Sequence, residues 1–374
     1  MIKVLCWGMS ENLGGIESFI FNTYKNIDKS KIQMDFLVAH DREKIAYEDE
    51  IIAMGGKIHR VMYSESESLI KARTSLKKYF KEHNDYDVMH IHANFPYAFP
   101  LKYAKKAGVP IRILHSHNSN KDQVNYKGIK KIISSIRDRQ VKRHIDKYPN
   151  YYFACSDLAA EFMFPGKDYK WIKNGINTDV FKYDEIVRKE TREELNIPED
   201  YQVLGFIGRI REQKNPYFII DIFREYLKLN EKTKLVIVGI GEWEEQIKEY
   251  AKDLIDKGQS LFLGKRKDSN RIYQSIDAFL LPSFYEGLPV VLVESQTAGL
   301  PSFTSDVVTK QVELTDLVHY YPLSLGAEEW AKNIFDELQK YERKDYSNAI
   351  VEEGFDEKES AKEIEKFYLE NVNK

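Results

Sequence analysis

Short apolar runs rich in Val, Ile and Leu alternate with amphipathic segments of helical period along nearly the whole chain, and this rhythm constrains the fold more than any single residue. In the first half Lys3 to Trp7, Ile32 to Val38, Ile58 to Met62, Val88 to His92 and Ile111 to His115 read as buried strands. Between them Glu17 to Tyr24, Asp49 to Met54, Leu69 to Phe80 and Phe99 to Ala107 read as helices. Strands apolar on both faces need helices on both sides, which calls for a parallel sheet with crossover helices. A long helix over Lys127 to Lys147, a strand at Tyr151 to Cys155, a short helix at Asp157 to Phe162 and a strand end at Trp171 to Lys173 complete this half.

Residues 182–200 are polar, carry the helix Val187 to Leu195 and end at Pro198, and they read as a linker. The rhythm then restarts with strands at Val203 to Ile207, Lys234 to Val238, Leu261 to Leu263, Ala278 to Pro282 and Ser302-Phe303, separated by helices at Pro216 to Leu229, Trp243 to Lys252, Ser269 to Ser275 and from Pro289. The fold class is therefore α/β with two open sheets, divided into domains 1–182 and 183–354. The amphipathic helix Glu357 to Leu369 needs an apolar partner, and the segment from about 355 to 374 is expected to join the first domain.

Charge separates the halves. Residues 1–180 carry 29 Lys or Arg against 21 Asp or Glu, whereas the whole chain is at -3, so the first lobe is basic and the second acidic. Much of the excess lies on 127–147, where eight basic residues face Asp138 and Asp146 while Ile129, Ile132, Ile133, Ile136 and Ile145 form a stripe. The isoleucines are expected to pack on the lobe and the cations to meet an anionic membrane surface. No run approaches the roughly 18 apolar residues of a membrane span. Cys6 and Cys155 both fall in apolar strands and suggest no disulfide framework, so a reducing, cytoplasmic location is expected. Nucleic-acid binding is disfavoured by the slightly negative net charge and the absence of a known motif.

Four segments carry chemistry. Gly14-Gly15 stands between the first strand and a helix, where glycine admits φ > 0 and close ligand approach and the helix start offers N–H groups to an anion. In Gly205 to Pro216, Arg209 sits at a strand tip and Lys214 just before a helix opened by Pro216, a pair able to hold a diphosphate. In Leu281 to Glu294, Glu286 lies in a Gly/Pro turn after a strand, and Glu294 lies among apolar helix residues, where its carboxylate needs a hydroxyl or cationic partner. His90, His92, His115 and His117 approach the carboxyl ends of two strands; i,i+2 spacing on a strand does not make a tetrahedral zinc site, and the favoured reading is that at least one of them lines the ligand cleft. There is no GxGxxG or GxxxxGK[ST] loop and no D-x-D metal motif in a strand-end turn, so no metal is assigned.

Gly14-Gly15 with Glu17, Asn174 to Asp179, Gly208-Arg209 to Pro216, and Glu286-Gly287-Leu288-Pro289 to Glu294 occur in an order and spacing that resembles glycosyltransferase family 4, over almost the whole chain. His115-Ser116-His117-Asn118 and Val308 to Val318 with Glu329-Trp330 are similar to members that assemble bacterial capsular polysaccharide and exopolysaccharide. The resemblance implies a GT-B fold, two Rossmann-like α/β/α domains facing each other across a deep cleft. It also implies a retaining glycosyltransferase, a hexosyl- or N-acetylhexosaminyltransferase, that moves a sugar from a nucleotide diphosphate sugar, a UDP-sugar by preference, to a glycan acceptor linked to polyprenyl diphosphate. By the same resemblance Arg209 and Lys214 neutralise the donor diphosphate, Glu294 binds ribose, and Glu286 with the N–H groups of Gly287 and Leu288 addresses the donor sugar. Gly264 and Lys265 pass the base, Gly14 and Gly15 meet phosphate or acceptor, and His117, or alternatively His115, lies beside the reacting sugar. No metal or other cofactor is implied, the protein's cations standing in for Mg2+. The alternatives are a nucleotide-sugar-binding scaffold subunit without turnover and a GT-B nucleotide-sugar epimerase. Intact Arg209, Lys214, Glu286 and Glu294 argue against the first, and the lack of a clear acid/base pair against the second.

Overall fold

A computed structural model describes residues 1–12, 14–63, 65–118 and 129–372, with side chains throughout except at 65–67 and 129–137. The chain forms two compact units, Met1–Gly175 with the C-terminal segment from Glu357, and Ile176–Asp356. The first holds strands β1 (Ile2–Trp7), β2 (Ile32–Ala39), β3 (Ile58–Val61), β4 (Val88–Ala93), β5 (Ile111–Ser116), β6 (Tyr151–Ala154) and β7 (Lys170–Trp171). They pair in parallel in the order β3-β2-β1-β4-β5-β6-β7. The second unit holds β8 (Gln202–Ile207), β9 (Thr233–Val238), β10 (Ser260–Phe262), β11 (Ala278–Leu281), β12 (Ser302–Ser305) and β13 (Val318–Tyr321). Their order, β10-β9-β8-β11-β12-β13, is the same doubly wound pattern.

In each unit the central strands are buried on both faces, as the uninterrupted apolar runs require: Val4, Leu5, Val88, Met89, Ile113 and Leu114 in one, Val203, Leu204, Leu235, Val236, Phe279 and Leu280 in the other. The helix Glu357–Val372 lays Ala361, Ile364 and Tyr368 onto the first unit's core, and its Glu365 accepts a 2.8 Å bond from the Asp28 amide. In the second unit the helices Pro216–Leu229 and Ala327–Leu338 pack together, with Phe218 edge-on to Trp330 at 5.6 Å.

The structure differs from the sequence reading at several edges. The change of unit falls at Gly175/Ile176, ahead of the 182/183 expected from the polar stretch, because the short helix Thr178–Phe181 packs on helices of the second unit. The last strand of the first sheet is Lys170–Trp171 instead of Trp171 to Lys173. Strand β13 and the helix Ala327–Leu338 extend the second unit beyond Ser302-Phe303; β13 is an edge strand of half-buried His and Tyr, which lacks the apolar signature of a central strand. Cys6 and Cys155 are free and buried. Among the described residues no helix is long and apolar enough to cross a membrane.

The helix expected over 127–147 is described from Ile129 to Lys147. Tyr126 and Lys127, and the side chains of Ile129, Lys130, Lys131, Ile132, Ile133, Ile136 and Arg137, lie outside the described residues. In the remaining part Ile145 is buried while Arg139, Lys142, Arg143 and Lys147 are exposed.

Candidate functional site

In the second unit Arg209 and Lys214 follow the carboxyl end of β8 and Glu286 that of β11, whereas Glu294 lies within the helix Val290–Thr297. Strand β8 ends at Ile207, and the chain turns through Gly208 and Arg209 into the one-turn helix Glu212–Lys214, after which Asn215 at φ 52° leads into the helix opened by Pro216. Strand β11 ends at Leu281, and the loop behind it docks on that turn: the Phe284 amide donates to the Gln213 carbonyl at 2.8 Å, and the Gln213 side-chain amide donates to the Tyr285 carbonyl at 2.8 Å. Docking brings Lys214 Nζ to 2.5 Å from Glu286 Oε1, with the two side chains only 14% and 7% exposed. The cation and the carboxylate that sequence reasoning assigned to different parts of a donor are thus an ion pair. Arg209 stands apart, 65% exposed and 3.2 Å from Glu242. Gly287 and Leu288 are buried in the same loop, whereas Gly264, at φ +62°, and the exposed Lys265 follow β10.

Glu294 lies within the helix Val290–Thr297, and its expected hydroxyl partner is Tyr273, whose Oη–H donates to Oε2 at 2.9 Å. Burial pushes the Glu294 carboxyl up to about 7, against which the Tyr273 hydrogen bond works.

Sequence reading missed the glycines that hold the Arg209 turn. The Gly208 amide donates to Val238 O and the Ile210 amide to Ile240 O, and the Trp243 amide donates back to Ile210 O at 3.1 Å. A Cβ on Gly239, at φ +133°, would collide with the Gly208 carbonyl, and one on Gly241 with that of Ile210. The signal was available: Val238-Gly239-Ile240-Gly241 closes an apolar strand with alternate glycines.

In the first unit Gly15 begins the helix Gly15–Asn26 and Gly14 caps it at φ -113°. Neither glycine occupies the left-handed region, contrary to the expected use of φ > 0. A Cβ on Gly14 would lie 2.7 Å from Glu17 Oε2, the end of a side chain, and nothing lies within 4 Å of one on Gly15. Glu17 is buried and accepts from the Ser10 hydroxyl. The conformationally special glycine is Gly8, at φ +140°, where a Cβ would stand 2.9 Å from His92 Cβ and O.

Parallel pairing of β4 with β5 places His92 opposite His115 and gathers four imidazoles. His90 Nδ1 bonds the Tyr368 hydroxyl at 2.6 Å, His90 Nε2 pairs with His115 Nδ1 at 3.2 Å, and His92 Nδ1 pairs with His117 Nε2 at 3.0 Å. Burial lowers His90, His92 and His115 well below the ordinary imidazole range and pushes His117 down to about 3, so all four are neutral at pH 7. His115 is 0% exposed, whereas His117 is half-buried, so of the two only His117 offers surface to a ligand. Ligand atoms of His90, His92 and His115 lie within 4.8 Å of one another, so cross-strand pairing assembles a set that i,i+2 spacing along one strand did not reveal. Both nitrogens of His90 and the Nδ1 atoms of His115 and His92 are engaged in hydrogen bonds, with Tyr368, with each other and with His117.

Two known families divide the chain between them: the one described as Glycosyltransferase Family 4 matches residues 13–180, and the one described as Glycosyl transferases group 1 matches residues 187–319. The chain is 30% identical over 330 residues to the "Putative glycosyltransferase EpsF" of Bacillus subtilis (strain 168), covering 86% of this chain and 84% of the relative. It is 24% identical over 387 residues to the "Capsular polysaccharide biosynthesis glycosyltransferase CapH" of Staphylococcus aureus, covering 99% of each. Among solved structures, Anabaena Alr3699/HepE in complex with UDP-glucose matches with a TM-score of 0.72 at 18% identity over 100% of both chains, a likeness of fold.

Proposed function

The chain belongs to the GT-B glycosyltransferases, and from that premise we propose that it is a retaining enzyme that moves a sugar from a UDP-sugar to a hydroxyl of a polyprenyl-diphosphate-linked glycan in capsular or exopolysaccharide assembly. The observation that carries the donor half of this reading is the junction of Lys214 and Glu286, in the same unit as Arg209 after β8 and Glu294 in the helix Val290–Thr297. Negative charge accumulates on the departing diphosphate, and an ammonium and a guanidinium stabilise it where it develops. Arg209 and Lys214 take that role, which a divalent cation plays in other transferases. Glu294 accepts from ribose hydroxyls, Glu286 with the Gly287 and Leu288 amides addresses the sugar, and Gly264 with Lys265 passes the base. Gly14 and Gly15 leave room for phosphate or acceptor, and neutral His117 hydrogen-bonds the reacting sugar. Front-face attack fits this set: the acceptor oxygen bonds to an oxocarbenium-like C1 as the C1–O bond to phosphate breaks, and its proton passes to the leaving phosphate oxygen.

Support for the setting comes from the capsular relative and from the UDP-glucose complex of the structural neighbour. The exposed cations Arg139, Lys142, Arg143 and Lys147 support peripheral contact with an anionic cytoplasmic membrane. The test is a panel of nucleotide sugars incubated with the purified protein in EDTA, followed by release of nucleoside diphosphate and by NMR of the anomeric proton of any product. Turnover of a UDP-sugar with an α-product is expected; failure to bind UDP and to turn over any donor would overturn the reading.

A further inference from the structure

Tyr273 sits on the helix Ser269–Ser275, 0% exposed, its ring held edge-on by Phe181 at 5.8 Å and packed against Phe279 at 5.6 Å. Its hydroxyl lies 2.9 Å from Glu294 Oε2 and 3.3 Å from the Val291 carbonyl. A phenol has one proton to give, and a carboxylate is the stronger acceptor, so the bond goes to Glu294. We infer that Tyr273 is a positioning residue, fixing Oε2 of Glu294 so that the carboxylate presents Oε1 to the hydroxyls of a nucleoside diphosphate. The inference rests on the donor reading above, in which Glu294 meets ribose.

Among the described residues packed around Glu294, Tyr273 is the titratable group hydrogen-bonded to its carboxylate. The helix Val290–Thr297 packs on the helices Ser269–Ser275, Thr178–Phe181 and Ser347–Glu352 and on β12. Their titratable groups are Arg271, Tyr273, Asp179 and Glu352; Arg271 pairs with Glu194, Asp179 and Glu352 are exposed, and β12 carries none. Burial opposes ionisation of Glu294 and the Tyr273 bond favours it, while burial and Glu294 together keep the phenol well above its ordinary range and hence a donor. A carboxyl balanced near neutrality is sensitive to the loss of one hydrogen bond.

The test measures UDP affinity by titration calorimetry from pH 6 to 9 for the wild type, Tyr273→Phe and Glu294→Gln, with urea unfolding to confirm that each variant is folded. Ionisation of the UDP phosphate is common to all three and cancels in the ratios. Tyr273→Phe is expected to weaken UDP by up to roughly 10- to 150-fold at pH 7, the range of one hydrogen bond to a charged group. That deficit should shrink as the pH rises to 9 and the carboxyl ionises without its partner, whereas Glu294→Gln should be weakened without recovery. Tyr273→Phe equal to wild type beside a weakened Glu294→Gln would overturn the inference alone, as would a deficit constant across pH, which marks packing only. A wild type that does not bind UDP, or a Glu294→Gln that binds normally, would remove the donor reading and the inference with it.

Discussion

Replacing Glu286 by Gln should tighten the binding of UDP while reducing sugar transfer. The ammonium of Lys214 is paired with Glu286 at 2.5 Å, and the two side chains are 14% and 7% exposed. A diphosphate must therefore share Lys214 with a carboxylate of its own sign. Two unit charges about 4 Å apart interact by roughly 4 kcal/mol at an effective dielectric of about 20, which bounds the effect. Glu286 keeps part of its hold on Lys214 when the phosphate arrives, and water entering with the ligand screens the rest, so about 1 to 2 kcal/mol is expected. That corresponds to UDP bound roughly 5- to 30-fold more tightly. Gln retains the shape and can still face the Gln213 amide, which lies 3.4 Å from Glu286 Oε2, so the loop should keep its place. UDP lacks the sugar that Glu286 is proposed to address, which separates the electrostatic gain from the lost sugar contact. Calorimetry with UDP at low and moderate salt is the assay, with Lys214→Met and the double variant completing a cycle. Unchanged or weaker UDP binding by folded Glu286→Gln would refute the competition argument.

Four further outcomes are expected. Arg209→Ala and Lys214→Ala should each lower turnover more than donor affinity, since the charge they meet grows in the transition state; Lys214→Ala with at least half of wild-type turnover would sink this. Gly241→Ala drives a Cβ into the Ile210 backbone, which cannot yield as a flexible side chain would, and urea unfolding should show a loss of about 1 to 3 kcal/mol together with weaker UDP binding; a neutral substitution would contradict the geometry. Glu294, raised from 4.5 to about 7 in the folded protein, binds a proton between those values that the unfolded chain has released, so stability should fall as pH rises through that window, by at most about 3 kcal/mol. Glu294→Gln should flatten that stretch of the stability profile, and an identical profile in the two proteins would count against the raised value. Co-sedimentation with anionic vesicles at low salt should be lost when Lys130, Lys131, Lys142 and Arg143 are changed to Glu, and equal sedimentation of variant and wild type would defeat the membrane proposal.

The apolar runs determined the two parallel sheets, because a strand that is apolar on both faces has few other stable surroundings; Val4 to Cys6 and Val203 to Phe206 were legible for that reason. The local placement of Arg209 and Lys214 after β8, of Glu286 after β11 and of Glu294 in the helix that follows was legible from the run of apolar, Gly and Pro residues around them. Edge strand β13 was not, since a half-buried edge does not need an apolar run. Only the tertiary structure decided which groups meet. Lys214 pairs with Glu286, 72 positions later, because β8 and β11 are neighbours and the loop after one docks on the turn after the other. Tyr273 reaches Glu294, and Tyr368 from the far end of the chain reaches His90, through helices packed on sheets. Local sequence governs periodicity and turns, which depend on neighbouring residues, whereas partners distant along the chain are chosen by strand order and by packing.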